Sequence, residues 1–592
     1  MWECSGNLSS IRRRPRIERL ARSLALGFLQ SALGLSALEE RANSIGQQGI
    51  TGQLEAAAAL HERADYSHSI PILKGILLRD PQNYRANLLL GEDLLLSGHP
   101  RDALAPLRTA SEARPDDVVA LDYLLVAAAD VGDHATEAEA HQLVVVRSGG
   151  DERHLLGWGI FCLNRFHSLR TGMVNSKPGQ GVELRLAAWG SPGGTEANLS
   201  LLETSAADDP EQAGIWGELG IAQFEVGKQA EAHVSLKEAQ AREPHEAATL
   251  RLEALLAAAD HDWQQAETIL LALGSRSPAE LANAIRLWPP NMVPQPSVDG
   301  QLWNCVRNPA VPCPLTSGTP KGGEGLSARE LFTEGRWEQL KSLPVGATAD
   351  SLEWFWRGVA EFRTGDCPRA IPALERGLKS NQLQAGFYLQ ACYAKEEAHV
   401  ETRLISAQQD GAVHELKGER AFSMQNDPRA AQKEYVEAAK SRPKDAYLLS
   451  RLAVTYSLLG DLEQARRNAL SALALDPRQT SALETLAQLD MSEGNYKGAL
   501  VRFKRLSVLL PEDPHIQVGL GITYGQLGDP ARAAQYLELP LRNGFPDPRG
   551  SLHALLATAL RKLGRMEEAQ QAAAEAVRLS NESGEGNHVK KE

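Results

Sequence analysis

A pattern of small and apolar residues recurs every 34 residues along most of this 592-residue chain. Clear copies occupy residues 84–117, 213–246, 446–479 and 480–513. Each block has an apolar residue at position 7, small residues at 8, 20 and 27, Gly at 15 and Pro at 32, or close substitutes. In the third block these positions hold Leu452, Ala453, Ala465, Ala472, Gly460 and Pro477. A fixed period of this length is typical of a chain built from stacked, similar structural units.

Each block predicts two amphipathic α-helices, because its apolar residues follow helical spacing in two stretches. The Gly between the stretches can adopt the left-handed conformation that ends a helix, and the Pro stops the second helix. The small residues allow the helices to pack closely. One block cannot bury its own apolar face, so neighbouring blocks must stack. The sequence therefore predicts an all-α superhelical solenoid of helix-turn-helix units.

The overall composition excludes several classes of protein. The net charge of −13 argues against a broad nucleic-acid footprint, which needs an excess of Lys and Arg. Aromatic residues make up only 5% of a chain rich in Ala and Leu, which disfavours an all-β fold. The sequence contains no run of about 20 apolar residues, so it predicts no transmembrane span.

Residues 1–37 differ from the repeats and have the order of an export signal. A basic stretch that includes Arg12, Arg13 and Arg14 precedes apolar residues from Ser23 to Ala37. This order predicts a signal peptide and a periplasmic or secreted protein. An amphipathic first helix in a cytoplasmic protein is the alternative.

The repeats predict two arrays separated by a segment of different composition. The N-terminal array covers residues 50–283, with degenerate repeats around 152–212, and the C-terminal array covers 346–583. Between them, residues 284–345 contain eight prolines within 32 residues and the sequence GTPKGGEG, which predicts a linker or large loop. The polar residues 584–592 predict a disordered tail.

Two cysteines, Cys305 and Cys313, lie eight residues apart in the proline-rich segment. A disulfide would order this loop, and two buried free thiols are the alternative. The spacing does not fit a structural zinc site, which needs closer ligand pairs and a second pair.

No motif in the chain predicts catalysis, a cofactor or a metal. The sequence lacks H-E-x-x-H, a phosphate-binding G-x-x-x-x-G-K-[ST] loop, G-x-S-x-G, C-x-x-C and an EF-hand loop. The repeats also leave no room for an α/β nucleotide-sugar domain. We therefore expect a noncatalytic protein with no catalytic, cofactor-binding or metal-binding residues.

The 34-residue pattern resembles the tetratricopeptide-repeat family, and we expect a bacterial member of it. In that family, residues on the first helix of each repeat line a groove that receives a peptide. The resemblance implies that the following residues of the C-terminal array line such a groove: Lys417, Arg420, Arg451, Glu484, Gln488, Arg561 and Lys562.

The resemblance leads to two hypotheses about function. The first is a scaffold that binds partner proteins or peptides of unknown identity along its grooves. In this hypothesis Lys417, Arg420 and Arg451 together hold an acidic peptide. The second is an accessory module that positions an enzyme of envelope or polysaccharide biosynthesis on another chain.

Overall fold

The computed structural model describes residues 49–173, 176–190, 195–295, 300–308, 312–316, 325–346, 349–510 and 513–585. These residues contain 30 α-helices and no β-strand. Most consecutive helices pack as antiparallel hairpins joined by short turns, and each hairpin packs on the next. The predicted all-α solenoid of helix-turn-helix units is therefore confirmed.

The helix bounds follow the repeat pattern through most of the chain. The first nine helices, α1–α9, are Ile50–Glu62, Tyr66–Leu77, Tyr84–Leu96, Pro100–Ala113, Val119–Val131, His134–Arg147, Glu152–Met173, Lys177–Trp189 and Glu196–Asp208. Helices α10–α17 are Ile215–Glu225, Gln229–Arg242, Ala247–Ala259, Trp263–Arg276, Pro278–Arg286, Gln301–Arg307, Ala328–Thr333 and Trp337–Ser342. Helices α18–α20 are Ser351–Arg363, Cys367–Gly377 and Gln382–Ser406.

The remaining ten helices form five consecutive hairpins. Helices α21–α30 are Asp410–Ser423, Pro428–Ser441, Ala446–Leu458, Leu462–Leu475, Thr480–Ser492, Tyr496–Leu509, Pro514–Gln526, Pro530–Arg542, Ser551–Lys562 and Met566–Glu585.

The hairpin α23–α24 shows how the repeat residues produce this geometry. Gly460 has a φ of +81°, which lets the chain reverse after α23 without a Cβ clash. The next residue, Asp461, caps α24 by accepting a hydrogen bond from the Gln464 backbone N–H at 3.1 Å. Ala465 and Ala469 have no exposed surface, so the two helices pack closely.

The chain divides into two compact units between Gln408 and Gln409. This boundary differs from the proline-rich segment at 284–345 that the sequence indicated. The difference arises because helices from 351–406 pack against helices from the first repeats, including α20 on α7 and α19 on α6. Long-range packing of this kind leaves no trace in the repeat period.

Helices α7 and α20 pair along their length in antiparallel register. The Trp158 indole N–H donates to the Glu396 carboxylate at 3.4 Å, and the Phe161 and Tyr393 rings meet with centroids 5.8 Å apart. Near the end of α7, Met173 packs against Gly386. Because Met173 at the end of α7 contacts Gly386 near the start of α20, the chain between the two helices begins and ends close together.

Part of the proline-rich segment is ordered rather than a bare linker. Helix α15 carries Trp303, which is fully buried against Trp263 and Trp288. The same apolar cluster contains Leu302 and residues of α12–α14. Aromatic and aliphatic residues between the prolines thus extend the core of the first unit.

Two expectations concern the ends of the chain. The predicted signal peptide at 1–37 lies outside the described residues. Helix α30 continues to Glu585, so it includes the first two residues of the predicted tail, and the others lie outside the described residues. No helix in the described part of the chain is long and apolar enough to cross a bilayer.

Candidate functional site

The expected peptide groove belongs to the unit that begins at Gln409. Its predicted residues lie on α21, α23, α25 and α29, which are the first helices of four hairpins. Their exposure differs strongly from one repeat to another, so equivalent sequence positions do not present equivalent side chains.

Arg451 is buried and paired, which corrects its prediction as a groove residue. Its guanidinium donates to both carboxylate oxygens of Glu419, at 2.8 and 2.7 Å, and to the Tyr435 hydroxyl at 3.1 Å. The Tyr447 hydroxyl also donates to Glu419, and Phe422 stacks under the guanidinium at 4.2 Å. Arg451 is 4% exposed and Glu419 is fully buried. The pair joins α21 to α23 and is not available to a peptide.

Four of the predicted cationic residues remain accessible to solvent. Lys417 and Arg420 lie three residues apart on α21 and are half-buried, and Arg561 and Lys562 at the end of α29 are exposed. Residues three apart on a helix share a face. The accessible charge of this unit therefore includes a pair of cations on its first helix and another pair on α29, without Arg451 between them.

Glu484 and Gln488 form one polar site on α25. Gln488 is exposed and donates from Nε2 to the Glu484 carboxylate at 3.3 Å. Burial, followed by the nearby negative charge of Asp513, raises the pKa of Glu484. A desolvated carboxylate between the two cationic pairs makes the electrostatics of these first helices mixed in sign.

The cysteines form two disulfides in the first unit. Cys305 bonds to Cys313, so the structure adopts the disulfide alternative for this pair, with Cα atoms 5.3 Å apart. A second disulfide joins Cys367 on α19 to Cys392 on α20, and Cys162 is a buried free thiol. Sequence reasoning missed the second disulfide because its cysteines lie in adjacent helices 25 residues apart. The available signal was that four of the six cysteines in the sequence lie between residues 305 and 392.

The described residues contain no group of three or more His, Cys, Asp or Glu side chains placed to hold a metal ion. A cavity of about 90 Å³ in the unit that ends at Gln408 is lined by Arg108, Glu112, Thr136, Glu139 and Arg147. Glu139 pairs with Arg108 and with Arg376, and Arg108 also donates to the Thr136 hydroxyl.

Comparison with known proteins supports the repeat assignment at the C-terminal end. Residues 518–584 match the family described as tetratricopeptide repeat. Among curated proteins, the BBSome complex member BBS4 of Bos taurus is 25% identical over 192 residues. That match covers 27% of this chain and 37% of the relative, so the chain spans well under half of that relative's length.

The solved structures that this chain matches include a tetratricopeptide repeat protein from Parabacteroides merdae. It is 18% identical, with a TM-score of 0.25, and the match covers 39% of this chain and 93% of that chain. Yeast Tom70 is 14% identical, with a TM-score of 0.26, and the match covers 86% of this chain and 97% of that chain. This chain is a protein of paired α-helical repeats, and residues 518–584 match the tetratricopeptide-repeat family.

Proposed function

We propose that this protein is a noncatalytic scaffold that binds a partner protein or peptide through the unit beginning at Gln409. The observation that carries the proposal is the set of exposed or half-buried polar residues on the first helices of alternate hairpins: Lys417, Arg420, Glu484, Gln488, Arg561 and Lys562. Charged groups arranged along one set of parallel elements can fix the register of an extended partner.

The first unit supports an oxidising location. Its two disulfides would be unusual in a reducing cytosol, whereas they are common in exported proteins. We therefore propose a periplasmic or secreted protein of bacterial origin. Mass spectrometry of the protein isolated from its native compartment would test both the disulfides and removal of residues 1–37.

Affinity capture with the full chain, followed by mass spectrometry, would identify the partner. Two double variants then locate its site: Lys417→Ser with Arg420→Ser, and Arg561→Ser with Lys562→Ser. Each is expected to weaken the captured complex and to reduce the salt dependence of its association rate. Capture of an envelope-biosynthesis enzyme would favour the positioning role over a general scaffold.

A matched control uses cations on the second helices of the neighbouring hairpins. Arg467 and Arg532 are exposed on α24 and α28, so Arg467→Ser with Arg532→Ser removes the same charge from a different set of helices. The groove proposal requires full binding by this control. If the control weakens binding as much as the two test variants do, net charge rather than the first-helix surface governs association.

A further inference from the structure

A buried ionic cluster holds α18 against the turns between earlier repeats in the first unit. Arg363, the last residue of α18, places Nη2 2.7 Å from a Glu246 carboxylate oxygen and Nη1 3.6 Å from one of Glu280. The side chains of all three are at most 14% exposed. Glu246 precedes α12 and Glu280 lies in α14, so one guanidinium joins segments about a hundred residues apart in sequence.

Two more carboxylates lie in the same cluster. Glu243, between α11 and α12, accepts a hydrogen bond from the Gly214 backbone N–H at 2.5 Å. Glu338 on α17 accepts hydrogen bonds from the Ser277 hydroxyl at 3.1 Å and the Ala279 backbone N–H at 3.0 Å, at the start of α14.

The cations around this cluster are fewer than its carboxylates. Arg185 on α8 approaches Glu243, but it is bound to Glu218 on α10 at 2.8 Å. Other groups that face the cluster are Tyr388 on α20, whose pKa is raised by burial and by the charge of Glu243, and Asn283, which hydrogen-bonds Glu280. His245 interacts instead with Arg276 and Glu334. The single guanidinium of Arg363 therefore faces the three carboxyl groups of Glu243, Glu246 and Glu280.

Burial and mutual repulsion favour protons on two of these carboxyl groups. Burial, and then the charge of Glu246, raise the pKa of Glu243 to about 7. Burial raises the pKa of Glu280 to about 7 against the opposing effect of Arg363, and Glu246 and Glu338 act in the same direction as burial. A carboxyl group whose pKa is higher when α18 packs on these turns than when it is released stabilises the packed arrangement at low pH. This stabilisation is lost as the pH rises through about 7.

We propose that this cluster is a pH-sensitive latch that fastens α18 to the turns before α12 and α14 in mildly acidic surroundings and loosens it in mildly alkaline ones. When Glu243 and Glu280 are neutral, Arg363 pairs with Glu246, while Glu338 is held by the Ser277 hydroxyl and the Ala279 backbone N–H. When both ionise, three carboxylates share one guanidinium in a poorly hydrated junction, and separating α18 from the turns lets water reach them.

Hydrogen exchange of the full chain, followed by mass spectrometry, tests the latch. After correction for intrinsic rates, the protection of amides in 351–363 is expected to fall about tenfold per carboxyl group between about pH 6 and about pH 8. The variant Glu243→Gln with Glu280→Gln mimics the protonated state. At both pH values, this variant is expected to show the amide protection in 351–363 that the parent protein shows at about pH 6.

A carboxyl group in the other unit provides the control. Glu484 also has a pKa raised by burial, so Glu484→Gln should leave the pH dependence of 351–363 unchanged. The proposal is wrong if the parent protein shows equal protection at the two pH values, or if the double Gln variant retains the parent's pH dependence. Circular dichroism at both pH values establishes that each variant is folded.

Discussion

At the scale of single residues, Lys417 and Arg451 occupy equivalent positions 34 residues apart but have different surroundings. Lys417 is half-buried on its helix, whereas Arg451 is enclosed by Glu419 and two tyrosines. The sequence predicted both as groove residues because a repeat register gives the position of a side chain on its helix but not the neighbouring side chains that bind it. Tyr447 and Arg451, one helical turn apart, were the signal that could have indicated a buried polar cluster.

Replacing Arg451 with Met is expected to destabilise the protein by about 3–5 kcal/mol, because Glu419 would remain buried without its cation. The substitution Lys417→Met should change the free energy of unfolding by about 0.5 kcal/mol or less. Urea denaturation measures both. Adding Glu419→Gln to Arg451→Met should recover part of the lost stability. Equal effects of Arg451→Met and Lys417→Met would contradict the buried pairing of Arg451.

Ala465 and Leu462 lie in the same helix and differ in the space around them. Ala465 has no exposed surface, and Leu462 is 42% exposed. The substitution Ala465→Trp is therefore expected to cost about 1–3 kcal/mol or more through overpacking. Leu462→Trp should cost much less. Thermal unfolding compares the two, and equal melting temperatures would contradict the assigned packing.

At the scale of helices, the sequence predicted the regular hairpins better than the long-range packing. Residues such as Gly460 and Ala465 determine a hairpin through local geometry and close approach, so their 34-residue spacing is readable. The antiparallel pairing of α7 with α20 depends on contacts between Trp158 and Glu396 and between Phe161 and Tyr393, more than 200 residues apart. A single sequence contains no periodic signal for such pairs.

Reduction of the disulfide between Cys367 and Cys392 should loosen α19 and α20 and leave the second unit intact. A disulfide across 25 residues raises the free energy of unfolding by about 3 kcal/mol, mainly because it restricts the unfolded chain. Limited proteolysis with a reducing agent should therefore cut sooner within 351–408, whereas residues 409–592 contain no cysteine. The variant Cys367→Ser with Cys392→Ser should show this early cleavage without reductant. Unchanged cleavage on reduction would contradict a stabilising role.

At the scale of the whole molecule, the division at Gln408 makes a prediction about fragments. Residues 409–592 contain five complete hairpins and their own apolar clusters, so this fragment should give a helical circular dichroism spectrum and a cooperative melt.

The longer fragment 346–592 provides the comparison. It contains α20 without α7, so Tyr393 would lose its ring contact with Phe161, and the face of α20 that packs on α7 would become exposed. This fragment should bind a hydrophobic dye and aggregate more readily than 409–592. A longer fragment that is as soluble and cooperative as the shorter one would show that the proline-rich segment is the effective boundary.

The pairing of α7 with α20 also bears on how this chain can change during evolution. Because the two helices lie side by side, the chain leaves at Met173 and returns near Gln382 at almost the same place. Gain or loss of a whole helix pair between these points would change the length of this segment without displacing the repeats before it. In an open solenoid, by contrast, each inserted pair shifts everything downstream. We therefore expect a change in the number of helix pairs between Met173 and Gln382 to leave the remaining repeats in place.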